Sequence, residues 1–113
     1  MKLITIDIKS EGQTVAEAIA QFLVELDAYQ KGGFKVMKVI HGYGSHGVGG
    51  AIKLEFLKKC EQLKRKKTIE DYVCCDKWTE KNVVRKIAIN YCPDLIADAE
   101  LRHLNAGCSI VIM

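Results

Sequence analysis

The chain has 113 residues, 49% of them apolar and 27% charged, which is typical of one globular domain spanning residues 1–113. No apolar run approaches the roughly 20 residues of a membrane-spanning helix, and the N-terminus lacks a signal-peptide cleavage pattern, so we expect a cytosolic protein without a membrane partner. The net charge is +3, with eleven basic against six acidic side chains in residues 51–92. This imbalance suits an anionic polymer such as nucleic acid, or a solvated basic helix end.

The five cysteines show no regular spacing, and an odd number argues against a complete disulfide framework. Cys74 and Cys75 are adjacent rather than spaced as C-x-x-C, which argues against a zinc or redox motif. We therefore expect buried, reduced thiols that act as small apolar side chains.

The first 40 residues predict a strand, a helix and a second strand. Apolar residues alternate between Leu3 and Ile8, and the second strand covers Phe34 to Ile40. Between them, Thr14-x-x-Glu17 forms a capping box that opens an amphipathic helix, which Lys31-Gly32-Gly33 ends. A strand–helix–strand unit predicts a parallel pair with a right-handed crossover, so both strands should end at the same edge of the sheet.

The remaining elements are less regular. In chain order, the pattern first predicts a helix from Ile52 to Leu63, ending in a basic run at Lys58–Lys67, and a short strand near Tyr72–Cys75. A further helix, capped by Thr79 and stopped by Pro93, precedes a predicted strand at Leu95–His103. The pattern then predicts a turn at Asn105–Gly107, with Gly107 left-handed, and a buried strand at Cys108–Met113. The predicted fold class is α/β: a two-layer sandwich with a mixed sheet, a βαβα start and a C-terminal β-hairpin.

A glycine-rich loop follows the second predicted strand. Five of the nine glycines lie between Gly42 and Gly50, and His41 and His46 accompany them. Gly42 to Gly47 formally matches the dinucleotide fingerprint G-x-G-x-x-G, but it follows the second strand and the chain is too short for two mononucleotide-binding halves. A glycine loop entering a helix presents free backbone N–H groups and partial positive charge, which favours an anion site. A tight turn in which His41 only bonds backbone is the alternative.

Four stretches, in this order, resemble the Smr (small MutS-related) domain. Members of that family have a first strand ending in L-D-L-H-G, a helix opening with T/R-V-E-E-A, a strand running into H-G-x-G, and a C-terminal G-x-G-A-T-x-V segment. The corresponding stretches here are Ile6-Asp7-Ile8, Thr14-Val15-Ala16-Glu17-Ala18, Val39-Ile40-His41-Gly42-Tyr43-Gly44 and Ala106-Gly107-Cys108-Ser109-Ile110-Val111. The resemblance covers residues 3–60 and 95–113, and residues 64–92 are interpreted as an insertion.

The resemblance implies nucleic-acid binding, of DNA or RNA, and for some members endonuclease nicking. Lys9 replaces the histidine of the first motif, and lysine is a poor base at its ordinary pKa. The candidate catalytic residues are Asp7 and His41, and the candidate nucleic-acid or phosphate-binding residues are Lys9, Gly42, Gly44, Ser45, His46, Gly47 and Lys53. No cofactor is implied with certainty; Asp7 could orient His41 or hold a divalent metal.

Two classes of function stay open at this stage. The first is an Smr-like nucleic-acid-binding domain, with or without phosphodiester hydrolysis. The second is a non-catalytic interaction module, or a small anion or nucleotide site in the Gly42–Gly50 loop. Salt dependence separates them, because binding through several phosphates weakens steeply as salt rises. The sequence does not specify an oligomeric state.

Overall fold

The computed structural model describes residues 3–9, 12–43 and 49–113, and its strands form one four-stranded sheet. The elements in chain order are β1 (Ile4–Asp7), α1 (Val15–Lys31), β2 (Val36–Ile40), α2 (Gly49–Arg65), β3 (Asp71–Cys74), a first 3₁₀ helix (Cys75–Lys77), α3 (Val83–Tyr91), a second 3₁₀ helix (Pro93–Ala97), α4 (Ala99–Arg102) and β4 (Cys108–Ile112).

The sheet is mixed, with strand order β1-β2-β4-β3. β1 and β2 pair in parallel, and β4 pairs antiparallel with both β2 and β3. The ends of β1, β2 and β3 therefore lie beside the start of β4. We call this side of the sheet the carboxyl edge; it lies opposite the side where β2 begins.

Local sequence explains where α1 begins and ends. The Thr14 hydroxyl accepts a hydrogen bond from the backbone N–H of Glu17, and the Glu17 carboxylate accepts one from the N–H of Thr14. The helix ends at Gly32, and Gly33 follows with a φ of +85° that favours glycine. The predicted capping box and helix end are confirmed.

Helical segments cover both faces of the sheet. α1 and α2 pack on the first face, where Phe22 and Phe56 meet edge to face at 4.8 Å. The second face is covered by α3, the 3₁₀ helices and α4, with Trp78, Ala88, Leu95 and Leu101 buried there. The α/β sandwich with a mixed sheet is confirmed, and the helices on the second face add a layer that the two-layer prediction lacked.

The predicted C-terminal β-hairpin is wrong. Residues 95–103, expected as a strand, lie mainly in the second 3₁₀ helix and α4. Both edges of β4 are already paired, so no edge remains for another strand beside it. In this turn the residue with a left-handed backbone is Leu104, with a φ of +55°, whereas Gly107 is not among the residues with positive φ.

Residues 64–92 belong to the sandwich. The short strand predicted near Tyr72–Cys75 is confirmed as β3, and α3 packs against the second face. The N-cap of α3 is Asn82 rather than Thr79, because the Asn82 side chain accepts a hydrogen bond from the N–H of Arg85 at 3.0 Å. All five cysteines are free and buried, as expected. Within the described ranges, no helix is long and apolar enough to cross a membrane.

Candidate nucleic-acid interface

Asp7 and His41 lie at the carboxyl edge, as the crossover rule predicts. Asp7 pairs with Ile40 in register, and the N–H of Ile8 donates to the Ile40 carbonyl at 2.9 Å. The two side chains nevertheless face opposite sides of the sheet, because Asp7 shares the face of Ile40 while His41 follows on the other. The exposed Asp7 carboxylate accepts a hydrogen bond from the N–H of Lys9 at 2.9 Å.

His41 is fully buried on the first face, with its ring 5.1 Å from that of Phe56. Its Nδ1 lies 2.6 Å from the Gly42 carbonyl oxygen, and its Nε2 lies 2.8 Å from the Ser109 hydroxyl. Since a carbonyl only accepts, Nδ1 carries the hydrogen in this arrangement, and a neutral ring then accepts from Ser109 through Nε2. Both ring nitrogens are occupied, and Asp7 is not a partner of either.

The electrostatic environment favours the neutral form of the His41 ring. Burial lowers its pKa below the ordinary value, and the positive charge of Lys53 acts in the same direction. The Gly42 carbonyl and the Asp76 carboxylate oppose this shift without cancelling it. In this geometry His41 is suited to fixing the backbone that follows it.

The backbone after His41 forms a turn against the start of β4. The N–H groups of His41 and Gly42 both donate to the Gly107 carbonyl, at 3.0 and 2.9 Å. Gly42 has a φ of +73°, a conformation that glycine adopts without strain. Tyr43 is 61% exposed, and a Cβ added to Gly107 would lie 3.0 Å from the Tyr43 ring. The turn therefore presents an aromatic side chain to solvent.

The first turns of α2 also lie near this edge, because Phe56 of α2 contacts the His41 ring and the Lys53 charge acts on it. α2 begins at Gly49, and its first turn contains no acidic residue to compensate the partial positive charge of the helix end. Lys53 lies one turn into α2 and is near enough to His41 to affect its pKa. Lys9, exposed after β1, adds a further cation. The edge combines a helix N-terminus with lysines, which suits an anion.

Four of the predicted phosphate-binding residues, Gly44, Ser45, His46 and Gly47, lie outside the described residues. Among the residues that the structure does describe, no three His, Cys, Asp or Glu side chains are grouped to hold a metal ion. Asp7, the candidate metal ligand, therefore has no neighbouring ligand set within those ranges.

The basic run at the end of α2 lies far from this edge. At about 1.5 Å per residue, Lys64 is about 22 Å along the helix axis from Gly49. Three of its basic side chains already pair with carboxylates: Lys58 with Glu55 at 3.4 Å, Lys64 with Asp71 at 3.2 Å and Arg65 with Glu61 at 3.1 Å. This end of α2 has the character of a solvated, partly neutralised helix terminus.

The comparisons with known proteins bear on the fold. The crystal structure of the Smr domain of Thermus thermophilus MutS2 superposes with a TM-score of 0.54 and 20% sequence identity, over 99% of this chain and 96% of that one. The chain has the fold of an Smr domain. The sequence itself matches no protein-family model and no curated protein.

The match to the Smr domain extends over residues 64–92, which therefore do not stand apart from the fold as an insertion. Sequence reasoning missed two residues that the Smr-like fold brings to His41. Ser109 holds Nε2, and its signal was a hydroxyl within the apolar run CSIVIM. Asp76 acts on the ring through its charge, and only the pairing of β3 with β4 brings it near.

Proposed function

We propose that this Smr-like domain binds nucleic acid through the carboxyl edge of its sheet. The observation that carries the proposal is the buried His41–Ser109 pair. It fixes the turn after β2, which presents the exposed Tyr43, and Lys53 of α2 lies near the same histidine. Phosphates would bind at the N-terminus of α2 and to the lysines, and the exposed ring of Tyr43 would contact a base. This function agrees with the one that the Smr resemblance implies.

Binding without cleavage is the activity that we assign to the described residues. A general base needs an accessible nitrogen and a pKa near the working pH. His41 is buried, both its nitrogens are occupied, and its pKa is lowered. Asp7 faces the other side of the sheet, and Lys9 replaces the histidine of the first motif.

Salt-dependent binding tests the proposal. Fluorescence anisotropy with labelled DNA and RNA oligonucleotides, single-stranded and duplex, should give a linear fall of log affinity with log salt, and the slope reports the phosphates neutralised. Lys53→Gln should reduce this slope by about one, whereas Lys66→Gln, which removes the same charge from the far end of α2, should leave it nearly unchanged. No binding at low salt would refute the proposal. A response to nucleotide monophosphates but not to polymers would favour a small-anion site.

A nicking assay tests the absence of cleavage. Supercoiled plasmid is incubated with the protein and Mg²⁺ or Mn²⁺, with His41→Gln and Lys9→His as variants. We expect no nicking by the unmodified protein, and the Lys9→His variant shows whether one histidine restores it. Metal-dependent nicking that His41→Gln abolishes in a folded variant would refute the assignment.

We place the protein in the cytosol, because five free, buried thiols fit a reducing compartment. Fractionation of cells followed by immunodetection tests this placement.

A further inference from the structure

A groove of about 340 Å³ lies on the second face, close to the carboxyl edge. Two of its lining residues show where it lies. Trp78 comes directly after the 3₁₀ helix that follows β3, and Leu104 precedes the turn into β4. Both segments meet the edge where Gly107 holds the turn of His41. The volume falls in the range of about 300–1,000 Å³ that is usual for small-molecule sites.

Two arginines flank this groove without carboxylate partners. Within the described residues, neither Arg85 nor Arg102 forms an ion pair with an acidic side chain, although most basic side chains of α2 do. The Arg85 guanidinium lies 5.9 Å from the centre of the Trp78 ring, and this cation–π contact fixes its position while leaving its N–H groups available. Arg85 also lies in the first turn of α3, which carries no acidic residue. A single anion fits this arrangement.

The groove wall is apolar where a nucleotide base would lie. Ile96 is 57% exposed and Leu104 is 42% exposed, so both present aliphatic surface to solvent. Glu80 is the acidic residue on the rim, and with Arg85 and Arg102 it leaves one net positive charge, which matches the single negative charge of a phosphodiester.

We infer that this groove binds one unpaired nucleotide, with its phosphate on Arg85 and Arg102 and its base against Ile96 and Leu104. The inference rests on the proposed function, since the nucleotide belongs to the strand held at the carboxyl edge. A paired base keeps its faces stacked inside the duplex, whereas an unpaired base offers a flat apolar face. The domain therefore prefers nucleic acid that contains single-stranded or extruded nucleotides.

The test compares a labelled 20-nucleotide single strand with the same strand annealed to its complement, by anisotropy. Arg102→Gln should weaken single-strand binding at least fivefold and duplex binding less than twofold. Leu104→Asn removes apolar surface without changing charge, tolerates the left-handed backbone and should also weaken single-strand binding at least fivefold, in line with the cost of losing base contacts. Lys66→Gln, a matched charge loss at the other edge, should change both less than twofold.

The outcomes separate the two proposals. If the unmodified protein binds neither oligonucleotide, the proposed function fails and this inference fails with it. If the unmodified protein binds the oligonucleotides, but Arg102→Gln and Leu104→Asn weaken the binding of single strand and duplex equally, the groove is not a nucleotide site. The same conclusion holds if neither variant weakens the binding of either oligonucleotide. A leucine-containing acidic peptide whose binding depends on Arg102, while single-strand affinity does not, would assign the groove to a protein partner and overturn the inference.

Discussion

Lys38 is a buried cation on the central strand β2, and replacing it with methionine tests how the second face is held together. Its side chain is 5% exposed, and its Nζ lies 2.9 Å from Asp98 and 2.6 Å from Glu100. Asp98 is the N-cap of α4, so Lys38 fixes the short helix that carries Arg102. Methionine fills a similar volume but leaves both carboxylates without their cation.

The expected cost is about 2–3 kcal/mol in the free energy of unfolding. Removing one partner of a fully buried ion pair costs about 3–5 kcal/mol. The value here is smaller because Asp98 is 16% and Glu100 is 44% exposed, so water partly solvates the carboxylates that remain. Lys31→Met is the matched control, because Lys31 pairs with Asp27 at the same 2.9 Å on the exposed side of α1 and should contribute about 0.5 kcal/mol or less.

The shifted pKa values of the ion pair determine how the cost of Lys38→Met depends on pH. Burial alone would raise the pKa of Asp98, but the hydrogen bond and charge of Lys38 together with the backbone N–H groups of Leu101 and Glu100 outweigh it, and the pKa is lowered. That stability is present above the unfolded pKa of about 3.9 and is lost as pH falls through the folded pKa. Burial alone would lower the pKa of Lys38, but Glu100 and Asp98 outweigh it and the pKa is raised. That stability is present below about 10.4 and is lost as pH rises through the folded pKa.

Urea denaturation followed by circular dichroism between pH 3 and pH 11 measures both effects. Near neutral pH the free energy of unfolding of the unmodified protein should exceed that of Lys38→Met by the full difference given above. This difference should become smaller at both low and high pH. A loss for Lys38→Met no larger than that for Lys31→Met, or a gap independent of pH, would refute the reasoning.

Three further predictions concern the His41 turn. Ser109→Ala should lower the free energy of unfolding by about 1–3 kcal/mol, because Nε2 is left buried without a donor, and Ser109→Thr, which keeps the hydroxyl, should lose less. NMR titration of His41 should give a pKa below the ordinary value of about 6.5. Because folding lowers this pKa, the stability that neutral His41 contributes is present above about pH 6.5 and is lost as the pH falls through the folded pKa. An ordinary pKa would contradict the burial argument. Gly42→Ala should cost about 1–2 kcal/mol in urea denaturation, since its φ is +73°, whereas Gly32→Ala, at a φ of −78°, should cost less; equal losses would show that the turn is not constrained.

The sequence by itself determined the first half of the fold. The Thr14–Glu17 capping box and the helical periodicity of α1 are local signals, satisfied by hydrogen bonds between residues close in the chain. The two flanking strands are readable from their apolar pattern, although their hydrogen bonds join distant residues. The parallel pairing of β1 and β2 follows from the length of that unit, because a crossover helix packs back on the sheet with one hand. The approach of Asp7 and His41 to one edge could therefore be predicted.

Only the tertiary structure decided residues 95–103 and the state of His41. The alternation in residues 95–103 suits a strand, but a strand needs a free edge, and β2 and β3 occupy both edges of β4. The segment instead folds into helices, capped by Asp98 and held by Lys38, 60 positions earlier in the chain. In the same way, the sequence puts His41 at the end of a strand beside the glycine-rich loop, and only the contacts with Ser109 and Phe56 show that it is buried. These contacts depend on burial and on partners distant in sequence, which residue spacing does not encode.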